Sequence, residues 1–173
     1  MSYQIVRRGL VASILVLAGA VVAAPAMADS VTLGGSVADT SAVTSTATAA
    51  AAALPLSGVG TAGTDTVVKV ADMALLTNNA SGVTLTAEAT GDLVNAANPA
   101  TPLPYNVLIV ADAATTPAAA DFAAATSATK DDEAVTNFVA GAAARDLYIQ
   151  YDAPALLDPG TYAGSITVSV AAL

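Results

Sequence analysis

The chain has 173 residues, no cysteine, histidine or tryptophan, and 14 acidic side chains against 5 basic ones. Its net charge of −9 argues against nucleic acid and anionic lipid as partners, because both need neutralising Lys and Arg. Without cysteine the fold is held by burial alone, and without histidine the usual general base of a nucleophilic triad is missing.

The first residues point to export. Arg7 and Arg8 form a short basic start, Leu10 to Ala24 is an almost unbroken apolar run, and Pro25 ends it. Ala26-Met27-Ala28 then supplies the small-x-small pattern of signal peptidase sites, so residues 1–28 are predicted to be a secretory signal peptide cleaved before Asp29. The apolar run falls short of the roughly 20 residues that span hydrocarbon, so a retained anchor is disfavoured and no membrane insertion is expected after cleavage. All the acidic residues follow position 28, but of the basic ones only Lys69, Lys130 and Arg145 do. Such an acidic chain suits a secreted protein of the cell surface.

Residues 29–46 are predicted to be an N-terminal strand segment. Val31, Leu33, Gly35 and Val37 alternate with Thr32, Gly34 and Ser36, the period of two that marks a strand with one buried face. Residues 47–173 form the predicted sandwich domain. Thr66–Val70 reads as a strand. Val83, Leu85, Ala87 and Ala89 alternate with Thr84, Thr86 and Glu88. Asn106–Val110 is apolar on both faces, as expected of a central strand. Leu147, Ile149 and Tyr151 alternate with polar-tipped residues, and a closing strand runs from Tyr162 to Val170 with Ile166 and Val168 facing inward. Turns are expected at Asn78–Gly82, Asn98–Pro104 and Asp158-Pro159-Gly160. Six or more short strands with such punctuation predict an all-β, antiparallel immunoglobulin-like sandwich with at most one short helix. That helix is placed at Thr116–Phe122, where Pro117 follows a capping Thr. The alanine run Ala47–Ala53 is read as strand or loop, because the Ser/Thr/Val-rich stretch before it favours extended chain.

Chemistry has few carriers. Lys69 and Lys130 sit in no Ser-x-x-Lys motif, and the carboxylate pairs Glu88 with Asp92 or Glu133 with Asp146 are chosen only by availability. Asp131-Asp132-Glu133 lacks the alternating acids and central Gly of a calcium loop and reads as a solvated loop. Asn79-Ala80-Ser81 fits a glycosylation sequon but reads more simply as a turn. Tyr162 either bonds back to the backbone to pin a corner or is a half-buried aromatic. No cofactor or metal is implied, and no enzymatic activity is expected.

Three stretches carry a resemblance: Val31-Thr32-Leu33-Gly34-Gly35-Ser36-Val37, Asn78–Thr86, and Leu156–Val170 with its Asp-Pro-Gly-Thr-Tyr turn. In these the chain resembles exported bacterial sandwich proteins of the spore coat protein U and fimbrial-subunit type. The resemblance implies a structural subunit of an extracellular filament or coat, a homo-polymer joined by strand exchange. A chaperone and an outer-membrane usher would be further partners of such a subunit. Donor-strand residues would be Val31, Leu33, Gly35 and Val37, adding a strand to a neighbour. Burying the three larger side chains yields roughly 5–8 kcal/mol, whereas ordering Ser30–Ala38 costs about 1–2 kcal/mol per residue. Ladder hydrogen bonds and a preformed groove must therefore supply the rest. The same strand could instead pair within its own sheet. The alternative function is a monomeric secreted or periplasmic binding module for carbohydrate or surface adhesion. The scarcity of aromatic platforms weighs against it.

Overall fold

The computed structural model describes residues 33–56, 65–125, 127, 129–138, 143–152, 154 and 156–173. The expected signal peptide and Val31 lie outside the described residues. Beginning within the expected N-terminal segment, the chain from Ser41 to Ala47 is a strand paired with residues 71–77.

The strands are β1 (Ser41–Ala47), β2 (Asp65–Thr77), β3 (Val83–Ala89), β4 (Leu93–Asn95), β5 (Asn98–Leu103), β6 (Asn106–Ala111), β7 (Lys130–Val135), β8 (Arg145–Asp152), β9 (Tyr162–Ala163) and β10 (Ile166–Ala172). Every pairing is antiparallel. One sheet has the order β1-β2-β8-β6, a second β10-β3-β7, and a small third β5-β4-β9. The fold is therefore all-β, as the strand periodicity predicts. The interior between the two larger sheets is filled by alternate residues of both: Val83, Leu85 and Ala87 of β3, Val107 and Ile109 of β6, Val135 of β7, and Leu147, Ile149 and Tyr151 of β8. This period of two is the direct result of the pleat, which sends successive side chains to opposite faces.

β2 and β3 are joined by the expected Asn78–Gly82 turn. Gly82 has φ +93°, and a Cβ there would collide with the Val135 carbonyl oxygen, so this position accepts only glycine. β2 carries a bulge at Val70, where the register against β8 slips between Lys69 and Ala71. The extra residue brings Lys69 and Asp72 to one face, which an unbroken strand would keep apart.

Several expectations are corrected. Residues 33–40 form no strand. Asn98–Pro104 is mostly the strand β5, and Asp131-Asp132-Glu133 lies within β7 instead of a solvated loop. The closing run is two strands in different sheets, β9 on β4 and β10 on β3, with the break at Gly164 and Ser165. Asn106–Val110 is a terminal strand of its sheet, not a central one. It is apolar on both faces because a 3-10 helix, Ala119–Ala124, lays Phe122 on Leu108 and Tyr148. That helix starts later than predicted, and the Asp121 carboxylate accepts from the Ala118 N–H. The alanine run forms one short helix after all, α1 (Ala49–Ala52), because the Thr48 hydroxyl caps the Ala51 N–H and donates to the Lys69 carbonyl. Among the described residues there are thus two short helices where at most one was expected. No described helix is long and apolar enough to cross a membrane.

Candidate functional site

The two larger sheets meet along two edges, one formed by β6 and β7 and the other by β1 and β10. Their residues differ in kind.

β7 begins Lys130-Asp131-Asp132-Glu133. Alternation turns Asp131, Glu133 and Val135 inward, so two of the acids face the interior. Asp131 is buried, and its Oδ2 accepts from the Ile109 N–H at 2.8 Å. The Asp112 N–H to Ala144 carbonyl bond sets the β6–β8 ladder so that Ile109 directs its amide away from β8. Asp131 therefore satisfies an edge amide of the opposite sheet. Glu133 accepts from the Arg145 Nε at 2.9 Å. Burial pushes the Glu133 carboxyl above its usual range, and Arg145 opposes that shift. Asp132, on the outer face, pairs with Lys130 and accepts from the Thr86 hydroxyl.

β1 (SAVTSTA) and β10 (ITVSVAA) contain no charge and no proline. The Asn78 N–H to Thr40 carbonyl and Thr48 N–H to Val70 carbonyl bonds fix which residues of β1 bond to β2. By the antiparallel alternation, Ser41, Val43, Ser45 and Ala47 direct their backbone groups to the outer edge. In the same way the Thr90 N–H to Ser165 carbonyl and Leu173 N–H to Gly82 carbonyl bonds leave Ile166, Val168, Val170 and Ala172 directed away from β3. Among the described residues no strand pairs with either of these edges.

Between these edges opens a cavity of about 260 Å³. Its floor is Val70, Leu147 and Ile149. Ser45 and Ala47 form one wall, with Ala51 and Leu54 above them, and Ile166 and Val168 form the other. Leu93, Tyr105 and Gly164 close one end, where the Tyr105 hydroxyl donates to the Ser165 carbonyl at 2.8 Å. Burial and the nearby Asp92 raise the Tyr105 phenol above its ordinary pKa. Ile166, Val168 and Val170 face inward as predicted, yet they are only half-buried because the cleft leaves them uncovered on one side.

Of the predicted assembly residues, Leu33 and Val37 are 89% and 88% exposed, and Gly35 has open space around it. The root of this stretch is held by one side chain. The Asn78 amide accepts from the Thr40 N–H at 2.8 Å and donates to the Ala38 carbonyl at 2.7 Å.

Elsewhere, polar residues serve the fold. Lys69 places its ammonium 2.6 Å from Asp72 and 2.8 Å from the buried Asp146. Hydrogen bonds to Asp146 first and Asp72 second hold it charged well above the ordinary lysine range. Asp112 completes a group of three carboxylates whose ligand atoms lie within 4.8 Å of one another, two of which, Asp72 and Asp146, are paired with Lys69. Glu133 and Asp146 do not act as a pair: Arg145 and Lys69 engage them from opposite faces of β8. Glu88 stands opposite Lys130 and Thr167 in the ladders. Asn95, fully buried, donates to the Asp158 and Pro159 carbonyls and accepts from the Ala97 N–H. Gly160, at φ +149°, packs its backbone against that amide. The Tyr162 hydroxyl donates back to the Asp158 carbonyl at 3.2 Å, the first of its two readings.

The residues missed by the sequence reading are Asp131 as an edge seal, Asn78 as a tether, Asn95 as a turn clamp, and β1 as a groove wall. Only the last left a signal, in the uncharged Ser/Thr/Val composition of Ser41–Ala47. Comparison of the chain with protein-family models, with curated proteins and with solved structures finds no match.

Proposed function

We propose that this chain is a structural subunit of an extracellular filament or surface coat, an immunoglobulin-like sandwich that lends residues 30–38 to the β1/β10 cleft of the next copy. The observation that carries the reading is the pairing of an uncharged cleft, with backbone groups directed outward on both sides, and a run of the same chain whose apolar residues share one parity and whose Leu33 and Val37 are exposed. Long uncharged edges are ordinarily avoided, because they recruit other strands. Here two of them flank an apolar cavity, which is what strand addition requires. Export through the predicted signal peptide would deliver the subunit to the surface, and its acidity suits that setting.

A carbohydrate module is less well supported. Tyr105, Tyr148, Tyr151 and Phe122 are buried and Tyr162 and Phe138 are half-buried, leaving no exposed aromatic platform among the described residues.

Deletion of Ser30–Ala38 tests the proposal. The expected product is a folded monomer that takes up a supplied peptide of this sequence, while the full-length chain forms filaments by electron microscopy. A truncated chain that cannot fold, with a full-length protein that stays monomeric at high concentration, removes it.

A further inference from the structure

Resting on that reading, we infer that Leu33 is the anchor of the joint and that the cavity bounded by Ser45, Ile166 and Val168 of a second copy is its receptor. Leu33 is the largest side chain of the alternating run, and it is almost fully exposed in its own chain. Among the described residues the cavity opens along the cleft and leaves the aliphatic floor of Val70 and Ile149 reachable from outside. Its volume, about 260 Å³, is comfortably above the roughly 150 Å³ that accommodates a benzene-sized guest. It therefore takes a leucine side chain without displacing a wall. Backbone groups of Ile166 and Val168 face the cleft, so a strand seated there finds ladder partners beside the pocket. Gly35, two positions on and of the same parity, has no side chain to hinder a close backbone approach beside the pocket.

The occupant is a second copy, because in its own chain Leu33 is exposed and is not among the residues that line the cavity. The run is rooted at Asn78, at the end of the sandwich where β1 begins and Leu173 lies hydrogen-bonded to Gly82, whereas the cavity sits by Ala47 and Ile166, where β1 ends and β10 begins. A donor at one end and a receptor toward the other make a heterologous contact, which propagates as an open chain.

The absence of native cysteine makes the joint directly mappable. Full-length Leu33→Cys and full-length Ser45→Cys chains are mixed and oxidised, with Thr44→Cys as the control on the outward face of β1. The expected result is a disulfide-linked heterodimer from the Ser45→Cys mixture, at several-fold higher yield than from the Thr44→Cys mixture. Leu33→Ala in an otherwise native chain should weaken association by about tenfold or more. Equal cross-linking at both positions, in chains that still associate, overturns the assignment of Leu33 to this cavity and leaves strand donation standing. Chains that remain monomeric by light scattering and uncross-linked overturn both. Cross-linking only within one chain, in a variant carrying both cysteines, overturns the second copy as occupant.

Discussion

The β6/β7 edge and the β1/β10 edge solve the same geometric problem in opposite ways. Both are places where two sheets end side by side and leave strand amides without ladder partners. At β7 the chain spends four consecutive charged residues and turns two of them inward, so that Asp131 takes up an amide of β6 and Glu133 holds Arg145. At β10 the same number of positions carries Ile, Thr, Val and Ser, and among the described residues no strand occupies the edge. A sequence able to seal one edge with acids has left the other apolar, and that contrast separates a sealed side from one that keeps no charge to deter a further strand.

The contrast can be broken from the sealed side first. Asp131→Ala leaves the Ile109 amide buried without an acceptor and should cost about 2–3 kcal/mol of folding stability. Urea unfolding measures this, and Asp131→Asn, which keeps an acceptor, should recover most of it. A loss no larger than that of an exposed substitution would mean that Asp131 seals nothing.

On the open side the expected effect on folding is smaller and the effect on association larger. Val168→Asp places a charge at the cavity wall, where half-burial implies a cost of about 1–2 kcal/mol. It should nevertheless prevent association completely, whereas Ser169→Asp, one residue away on the outward face, should leave association intact. Sedimentation of the two variants against the native chain makes the comparison, and indistinguishable behaviour would contradict the adhesive role of this edge.

The smallest expected effect sharpens the electrostatics of the sealed edge. Because burial raises the Glu133 carboxyl in the folded state, folding favours its protonated form. The resulting stability is fully present below the unfolded value near 4.5 and is lost as pH rises through the raised folded value. Urea midpoints should therefore fall slightly as pH is raised from just below 4.5 toward neutrality, by less than about 1 kcal/mol in equivalent stability because the side chain is partly exposed. Glu133→Gln should remove that component of the slope.

These edges also explain what was legible in the sequence. β3 was readable to its end residues because its inner face is buried at Val83, Leu85 and Ala87 and its outer face is threonine and glutamate, so the period of two is undisturbed. β7 was illegible for the reason that makes it useful: a strand whose charges guard an edge resembles a solvated loop. β6 was readable as a strand but misplaced in its sheet, because a covering helix and a neighbouring sheet bury it as thoroughly as a central position would. β4 and β9 are too short for any periodicity, β5 is disguised by its two prolines and lack of alternation, and Asn95, which clamps their turn, has no signature beyond being an asparagine. The cleft was legible only as an expectation, since a gap between two edges is a property of the packing and belongs to no single stretch of residues.

The Asn78 tether has a mechanical consequence. Residues 38–40 are bonded to Asn78 through two side-chain bonds and one backbone bond, directly in line with the β1–β2 ladder. A pull on residues 33–37 along that line loads the tether and the rungs from Ser41 to Ala47 together, in shear, instead of peeling them one after another. A unit drawn from this end therefore resists as the whole strand does, and the load passes from β1 into β2 and β8 at the centre of the sheet.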